Sequence, residues 1–565
     1  MAARADVVLV GIGAVGGILA SELTAAGLKV VGLERGESPP YSDYALKDAV
    51  HAIVRHALHD SARHEPIARR DKEGENTRRR PVSSPTNQVG GALNRWTGQS
   101  NRFAPGDFKV FTQEIASGLA ERAGASLEGY NVADWPIGYD DLEPYYTKYE
   151  YEMGITGADG ENPFAGPRSK RFPMPPLRDT AKFVLFRDAC RNLGYHPYRT
   201  PNGILSQRYK PPMPYAQGIP ERPGCVYCGH CNNYGCHVHA KASTLYTHVP
   251  AALDSGNLDL RTRCKVFRIN TSPDGKVTGV SYFDPAGTVQ EQRASVVILG
   301  GYLYENVRLL LLSRSEASVH ASGLGNTHGL VGQHIMAHED VRVSGIFDDQ
   351  IINGFIGPGS VGGRIDDFNS NNFDHTKLGF IRGATIGTSG SGTPIERYNI
   401  VPRGMPRWGA DYKKYLTRYY TRSFDLNMQP ETLPHKDNYV DLHPTECDAW
   451  GIPLPRVTFS LHENEQRMHR FLAGEGEKIM QATGAAKVWS AFSKRGSRWA
   501  GGTRMGTDPS NSVVNDKCQV HGIDNLFVMG ASVFPTMAGY PPTATVAALT
   551  YRAADFIRSQ NALFH

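Results

Sequence analysis

The hydrophobic pattern is most regular near the two ends of the chain. Close to the N-terminus, the apolar run Val7–Val10 leads into a glycine-rich turn, a helix-like stretch and a second apolar run that ends at Glu34. Near the C-terminus, Leu526–Val528 leads into Gly530 and then into a helical pattern over Thr543–Ser559. A strand, a glycine turn and a helix in this order predict an α/β fold with buried strands.

Further elements are predicted between these ends. Strands are predicted at Lys265–Asn270, Val277–Phe283 and Ser295–Leu299, and helices at Tyr139–Met153 and Val307–Ser313. Residues 340–490 contain short alternating segments, which predict a second lobe built on a sheet. The first lobe, which carries the strand–glycine–helix pattern, is therefore expected to be assembled from the N-terminal, middle and C-terminal parts of the chain.

Length and composition narrow the class of protein. The chain has 565 residues, of which 40% are hydrophobic and 21% are charged, so two or three lobes of a globular protein are expected. The 61 basic and 56 acidic side chains nearly cancel, which gives no reason to expect a nucleic-acid partner. No run of apolar residues is long enough for a transmembrane helix, and Met1–Asp6 does not have the pattern of an export signal.

The first glycine turn has the spacing of a dinucleotide-binding site. In the G-x-G-x-x-G pattern, Gly11 permits a tight turn, Gly13 lets the backbone approach a pyrophosphate, and Gly16 lets the helix pack on the strand. The helix N-terminus then faces the phosphates, and Glu34 at the end of the second strand can bind the ribose hydroxyls. The strand before the motif and the helix after it make this interpretation specific.

Four of the eight cysteines lie within one short segment. Cys225, Cys228, Cys231 and Cys236 have the spacing C-x2-C-x2-C-x4-C, whereas the others are single and scattered. A disulfide framework would spread its cysteines over a small domain, so a metal centre is the better interpretation. Closely spaced thiolates suit an iron–sulfur cluster, while zinc sites usually pair two short cysteine hairpins. Zinc and purely structural cysteines stay as alternatives.

Taken together, these segments resemble the glucose–methanol–choline (GMC) family of flavoprotein oxidoreductases. The similarity covers most of the chain in order, and the C-terminal block is its most specific part. The matching segments are Gly11–Gly17 with Glu34, Gly90–Gly98, Ile298–Ser313, Gly323–Met336, Gly501–Gly506, Ser512–Asn515, Val520–Gly522, Asn525–Val528 and Gly539–Thr543. The cysteine loop, followed by Ala240–Ser243, resembles the iron–sulfur-containing branch, the large subunits of gluconate, fructose and glucoside dehydrogenases.

The resemblance implies FAD as the dinucleotide and a Rossmann-like FAD-binding domain built from discontinuous segments, beside a sheet-containing substrate domain. The expected FAD-binding residues are Gly11, Gly13, Gly16, Glu34, Gly90, Gly91, Asn94, Trp96, Thr97, Val266, Gly530, Ala531 and Thr543. The expected domains are 1–110, 245–335 and 500–565 for FAD, 111–224 and 336–499 for substrate, and 225–244 for the cysteine loop. The expected cluster is [3Fe–4S], which needs three ligands, or [4Fe–4S].

Three positions depart from the family pattern. The catalytic His seven residues before Met505 is replaced by Arg498, and the His or Asn before the Pro-Thr pair is replaced by Pro541. Arg95 stands where relatives often have a flavin-linked His, so FAD is expected to be bound non-covalently. A guanidinium has no acceptor and stays protonated, so Arg498 cannot take a proton, although it can bind an anion. Tyr540 and two histidines, His334 and His338, are possible substitute acceptors, and Arg498 can equally pair with a local carboxylate.

The resemblance predicts a dehydrogenase that oxidises a hydroxyl group of a sugar, sugar acid or glycoside by hydride transfer to flavin N5. Electrons would leave through the cluster to a small subunit or a cytochrome. The alternative is a flavoprotein with a diverged site that transfers electrons, reduces an anionic compound or catalyses lyase chemistry. Single thiols and an oxidation-sensitive cluster favour the cytoplasm, with a periplasmic location beside a signal-bearing partner as the alternative.

Overall fold

The computed structural model describes residues 4–40, 66–79, 86–213, 218–232, 234–314, 320–354, 357–358, 362–388, 401–402, 404–494 and 496–564. The strands are β1 (Ala5–Val10), β2 (Val30–Leu33), β3 (Ala68–Arg70), β4 (Arg78–Arg79), β5 (Tyr198–Arg199), β6 (Leu258–Arg261), β7 (Lys265–Thr271), β8 (Val277–Phe283), β9 (Val289–Leu299), β10 (Met336–His338), β11 (Val341–Ile346), β12 (Gly363–Ile365), β13 (Ile386–Thr388), β14 (Ser423–Met428), β15 (Tyr439–Cys447), β16 (Pro453–Thr458), β17 (Lys487–Phe492), β18 (Ser497–Ala500) and β19 (Leu526–Val528). The helices are α1 (Ala14–Ala25), α2 (Leu119–Ala123), α3 (Tyr139–Met153), α4 (Ala181–Asn192), α5 (His248–Asp254), α6 (Leu303–Leu312), α7 (Gly409–Tyr419), α8 (Glu463–Ala482) and α9 (Thr543–Ser559).

A seven-stranded sheet joins three distant parts of the chain. Its order is β6-β2-β1-β9-β8-β7, and β19 pairs with β9. The central strand β1 is parallel to both neighbours, with Val8 opposite Val31 of β2 and Val297 of β9. Residues Val7–Leu9 are almost completely buried because α1 and other elements cover the sheet, which explains why the sequence there is continuously apolar. The predicted α/β fold is confirmed.

The strands and helices predicted in the middle of the chain occur close to their expected places. The helix Tyr139–Met153 has the predicted bounds, and the two predicted strands β7 and β8 pair with each other in an antiparallel hairpin. The strand predicted at Ser295–Leu299 is the buried second half of β9, whose first residues from Val289 are exposed and pair with β8. The first half of β9 was not predicted because most of its residues are polar and exposed, so it lacks the apolar pattern on which the prediction was based.

A second, six-stranded sheet has the order β17-β11-β14-β13-β12-β5 and is antiparallel throughout. Its own core lies between this sheet and two helices, with Phe183 and Phe186 from α4 and Met468 and Leu472 from α8. Sequence analysis predicted a sheet here but not α8, the 20-residue helix between β16 and β17.

Two smaller sheets complete the fold. A four-stranded sheet has the order β15-β16-β3-β4. In it, β3 from the N-terminal part of the chain pairs with β16, with Arg70 opposite Thr458, nearly 400 positions later in the sequence. A two-stranded ladder joins β10 to β18 with His338 opposite Ser497. Within the described residues, none of the helices is both long enough and apolar enough to cross a membrane.

Candidate active site

The turn between β1 and α1 has the geometry that a dinucleotide requires. Gly11 has a φ of +88°, and a Cβ on Gly16 would lie 2.0 Å from the carbonyl oxygen of Gly11, so neither position tolerates a side chain. Gly13 precedes α1, which has no side-chain cap at its N-terminus, so its first backbone N–H groups point out of the helix end. These groups fit a pyrophosphate.

Glu34 lies at the end of β2, where the sequence predicted a ribose-binding carboxylate. It is buried, and its two carboxylate oxygens accept hydrogen bonds from the backbone N–H of Ile12 (2.8 Å) and of Gly36 (2.9 Å). Each oxygen keeps a second lone pair for a ribose hydroxyl. The backbone carbonyl of Glu34 accepts a hydrogen bond from the N–H of Cys264, so Cys264, two residues before Val266 of β7, lies beside Glu34.

The glycine-rich segment 90–98 lies against the nucleotide turn. A Cβ on Gly91 would lie 2.9 Å from the Cα of Gly13, so the two loops are in direct contact. Asn94 is buried and donates from Nδ2 to the carbonyl of Val89 at 2.8 Å. Trp96 donates from Nε1 to the carbonyl of Ala242 at 2.9 Å, and Thr97 beside it is half-buried. These contacts fix the predicted flavin loop next to the cysteine loop.

The C-terminal block carries the remaining residues that were predicted to bind flavin. Gly530 follows β19 with a φ of +106°, and Ala531 begins a short 3₁₀ turn. The backbone N–H of Gly501 donates to the carbonyl of Ala531, which ties the turn to the end of β18. Thr543 begins α9 directly after Pro542. The FAD-binding residues predicted from both ends of the chain are thus carried by adjoining parts of one sheet and its loops.

The four clustered cysteines lie close enough to influence one another across the cysteine loop. Burial and repulsion from the other three cysteines, offset in part by a hydrogen bond from the N–H of Tyr227 at 3.3 Å, raise the pKa of Cys225 to about 12. Cys225 and Cys236 also pack against the same small core of Met174, Leu205 and Ala240. A thiol whose ionisation is opposed by burial and by three neighbouring cysteines is suited to a bound cation centre that compensates the charge of the thiolate.

The spacing of the sulfurs bears on which metal centre they fit. A zinc ion 2.3 Å from each of four tetrahedral sulfurs requires sulfurs about 3.8 Å apart. Throughout the described part of the chain, the one group of three donor atoms within 4.8 Å of one another is formed by His435, Asp437 and His462, so no three of the cysteine sulfurs are that close. The donor set therefore fits a multi-iron cluster better than a single zinc ion.

Between the flavin loop and the second sheet lies a buried group of polar side chains, here called the polar cluster. It consists of Gln99, Asn101, Tyr198, Arg364, Asp366, Gln429 and Tyr540, each at most 4% exposed. Arg364 on β12 donates to Gln99 Oε1 at 2.6 Å, and Gln99 directly follows the flavin loop. Tyr198 and Tyr540 both donate to Asp366, Tyr540 at 2.6 Å. The cluster thus spans from residue 99 to the position beside Pro541.

Several atoms of the polar cluster have no hydrogen-bond partner although they are buried. They are Asn101 Oδ1, Arg364 Nε and Gln429 Oε1, and both amide atoms of nearby Asn369 are in the same state. An unsatisfied buried polar group costs about 1–3 kcal/mol, so a concentration of them indicates a place where a polar ligand belongs. Sequence analysis did not find this cluster, because its members come from segments more than 400 residues apart and have no shared motif.

The diverged catalytic positions lie at the edge of the polar cluster. Arg498 on β18 pairs with Asp340 at 3.0 Å and donates to Ser497 Oγ at 2.7 Å. The local carboxylate that the sequence left open as a partner is therefore present. Tyr540 is buried, and burial together with the charge of Asp366 raises its pKa well above the usual range, so its hydroxyl stays protonated. Pro541 is buried beside it.

The site combines a dinucleotide-binding turn on a parallel sheet, a flavin loop packed against that turn, and the polar cluster between the flavin loop and the second sheet. This combination defines an FAD-dependent oxidoreductase. The comparisons with known proteins agree. Two models of the GMC oxidoreductase family match residues 215–340 and 434–550. The gluconate 2-dehydrogenase flavoprotein of Pantoea cypripedii is 32% identical over 99% of this chain and 94% of its own length. The chain belongs to the GMC oxidoreductase family.

A second relative and a solved structure are also similar to this chain. The fructose dehydrogenase large subunit of Gluconobacter japonicus is 27% identical over 83% of this chain and 80% of its own. Formate oxidase of Aspergillus oryzae RIB40 superposes with a TM-score of 0.64 at 16% identity, covering 100% of this chain and 99% of its own, which supports the fold alone. The predicted similarity to the gluconate and fructose dehydrogenase large subunits is confirmed.

Proposed function

We propose that the protein is an FAD-dependent dehydrogenase that oxidises a hydroxyl group of a sugar, a sugar acid or a glycoside. The observation that carries the proposal is the polar cluster with its unpartnered atoms. Arg364 offers donors, and Gln429 and Asn101 offer acceptors, in a place that is otherwise buried. A compound with many hydroxyl groups can satisfy donors and acceptors at once. The names of the dehydrogenase relatives point to the same class of substrate.

Within this class, Arg364 favours a sugar acid. It is 1% exposed, and no carboxylate among the described residues lies within ion-pair distance of its guanidinium. Burial lowers its pKa, and the more distant Asp366 offsets part of that effect. Among the described residues, the direct partners of this buried cation are Gln99 and Thr385. Such a cation gains most from an anionic ligand, because a carboxylate matches the guanidinium fork.

The test is anaerobic reduction of the bound flavin by a panel of D-gluconate, D-sorbitol, D-glucose, D-fructose and a methyl glucoside. We expect loss of the visible flavin absorption with at least one of them, and with D-gluconate more rapidly than with D-sorbitol. D-sorbitol is the matched control because it keeps the hydroxyl chain and lacks the carboxylate. Full absorption after prolonged incubation with every compound would refute a dehydrogenase of this class and favour electron-transfer or lyase chemistry.

We infer that FAD is held non-covalently and that Cys225, Cys228, Cys231 and Cys236 hold an iron–sulfur cluster through which the electrons leave. Arg95 cannot form the histidyl bond to flavin, and the sulfur spacing supports a cluster. Acid precipitation should release the yellow cofactor into the supernatant, and anaerobically prepared protein should contain iron with acid-labile sulfide. Zinc without sulfide, or colour retained in the pellet, would contradict the respective inference.

A cluster needs a recipient for its electrons, so we further propose a partner protein, a small subunit or a cytochrome. The single thiols and the cluster favour a reducing compartment, and we place the protein in the cytoplasm. Cell fractionation combined with co-purification at low salt tests both statements. A periplasmic complex with a second subunit would overturn the location and support the partner, whereas a lone flavoprotein that reacts rapidly with oxygen would overturn the partner.

A further inference from the structure

The replacement of the family His/Asn pair leaves open which group takes the proton of the substrate hydroxyl. His338 lies between the two replaced positions. It ends β10, completely buried, and is opposite Ser497 in the ladder with β18, one residue from Arg498. Its Nε2 is 2.9 Å from the carbonyl oxygen of Ala538, three residues before Pro541.

The hydrogen bond to Ala538 determines the tautomer of His338. A carbonyl oxygen can only accept, so the proton is on Nε2 and the lone pair is on Nδ1. Nδ1 is buried and has no hydrogen-bond partner among the described residues. An imidazole oriented by one nitrogen, with the other carrying an unused lone pair, is the arrangement of a general base.

The charges around His338 keep the imidazole neutral before substrate binds. Burial, Arg498 and the more distant Arg364 lower the pKa of His338 to about 3, against the opposing effects of Asp340 and the Ala538 carbonyl. An anionic substrate held by Arg364 would compensate one of the two repelling cations. Binding of the substrate would therefore raise the proton affinity of Nδ1 at the stage when the proton has to be taken up.

We propose that Nδ1 of His338 accepts the proton of the substrate hydroxyl, in place of the residues lost at Arg498 and Pro541. The inference rests on the proposed function. The O–H bond would break and its proton would pass to Nδ1, while the C–H bond of the same carbon would break with its electron pair leaving as hydride, for which bound FAD would be the two-electron acceptor. The substrate would become a carbonyl compound, and the imidazolium would return its proton to water.

The test compares H338Q with H320Q in the flavin-loaded protein, using D-gluconate as the probe or the panel compound that reduces the wild type fastest. The glutamine amide in H338Q can still donate to the Ala538 carbonyl and has no basic nitrogen. His320 is a matched control because it is also buried, places Nε2 3.3 Å from the backbone carbonyl of Gly275, and has an Nδ1 without a partner among the described residues. It packs against the β7–β8 turn instead of lying beside Arg498.

We expect H338Q to keep its flavin content and thermal midpoint, and to lose about 10²–10⁴-fold in the rate of flavin reduction, while H320Q reacts at the wild-type rate. A second measurement does not depend on turnover. Calorimetric binding of the carbonyl product of the probe to the dithionite-reduced protein, in buffers of different ionisation enthalpy, should show proton uptake by the wild type and none by H338Q, because that complex is the state in which Nδ1 carries the proton.

The outcomes separate the two proposals. A wild-type rate in H338Q, or equal proton uptake in both proteins, overturns the role of His338 and leaves the proposed function standing. Failure of every compound to reduce the wild type overturns the proposed function, and the role of His338 with it. Loss of flavin or of thermal stability in H338Q but not in H320Q would show that His338 is structural, and would also overturn the proposal.

Discussion

Two arginines near the site have very different surroundings. Arg498 is a quarter exposed in its side chain and has its own carboxylate partner, Asp340, so its charge is locally compensated. Arg364 is buried and has amide and hydroxyl partners instead. Sequence analysis singled out Arg498 because it stands in a motif. Arg364 stands in no motif, and only its burial without a carboxylate reveals it.

Replacing Arg364 by Gln should weaken D-gluconate binding to the reduced protein by about 10–100-fold, since a charge-assisted hydrogen bond contributes about 1.5–3 kcal/mol. D-sorbitol binding should change much less, because that compound lacks the carboxylate. Binding is measured by calorimetry. Arg342→Gln on β11 of the same sheet is the control, because Arg342 is exposed and 3.9 Å from Asp425. An equal loss for both compounds would contradict the anion role.

At the scale of elements, the proposed cluster in the cysteine loop can be tested by replacing one cysteine at a time. Cys225→Ser should lower the iron and sulfide content to a small fraction of the wild-type value while leaving the flavin content unchanged, since the FAD-binding turn lies on a different segment. Cys447→Ser, in the exposed end of β15, is the matched control. Unchanged iron in Cys225→Ser, measured by metal analysis, would remove this residue from the ligand set.

The elements differ in how far the sequence predicts them. The turn at Gly11–Gly16 is contiguous and its steric demands are local, so its spacing alone predicts it. Helix α8 is amphipathic and packs on the second sheet, but its sequence contains Gly474 and Gly476, and its N-cap residue is His462, which is not one of the usual capping types. The polar cluster forms because β5, β12 and the loop after β14 lie close together in the folded chain. No local sequence pattern predicts that proximity.

At the scale of the whole molecule, Arg382 joins segments that are distant in sequence. It is completely buried and forms ion pairs with Asp107 at 2.5 Å, with Glu431 at 2.7 Å and with Glu114. Arg382→Met should lower the free energy of unfolding by about 3–5 kcal/mol, because it leaves three buried carboxyl groups without their cation. Denaturant unfolding measures the change. Arg418→Met removes an exposed pair with Asp348 and should change the free energy of unfolding far less, because solvent screens that pair.

The same cluster predicts a pH dependence of stability. Burial and the neighbouring carboxylates raise the pKa of Glu431 well above its ordinary value, against the opposing effect of Arg382. The folded state then binds more protons than the unfolded state above the ordinary pKa of a glutamate, so stability falls as the pH rises toward the folded pKa. Glu431→Gln should flatten this slope in thermal midpoints measured over a series of pH values. An unchanged slope would show that Glu431 is ionised in the folded protein.

One contact between the flavin loop and the cysteine loop has an electrochemical consequence. Lys241 is buried and donates to the backbone carbonyls of Trp96, Cys231 and Tyr234 at 2.7–2.9 Å, so its ammonium is fixed between the two proposed redox centres. A fixed positive charge stabilises whichever centre gains an electron and raises its reduction potential. Lys241→Met should lower the midpoint potential of the cluster in a spectroelectrochemical titration. One buried ammonium would thus act on the reduction potentials of both proposed centres.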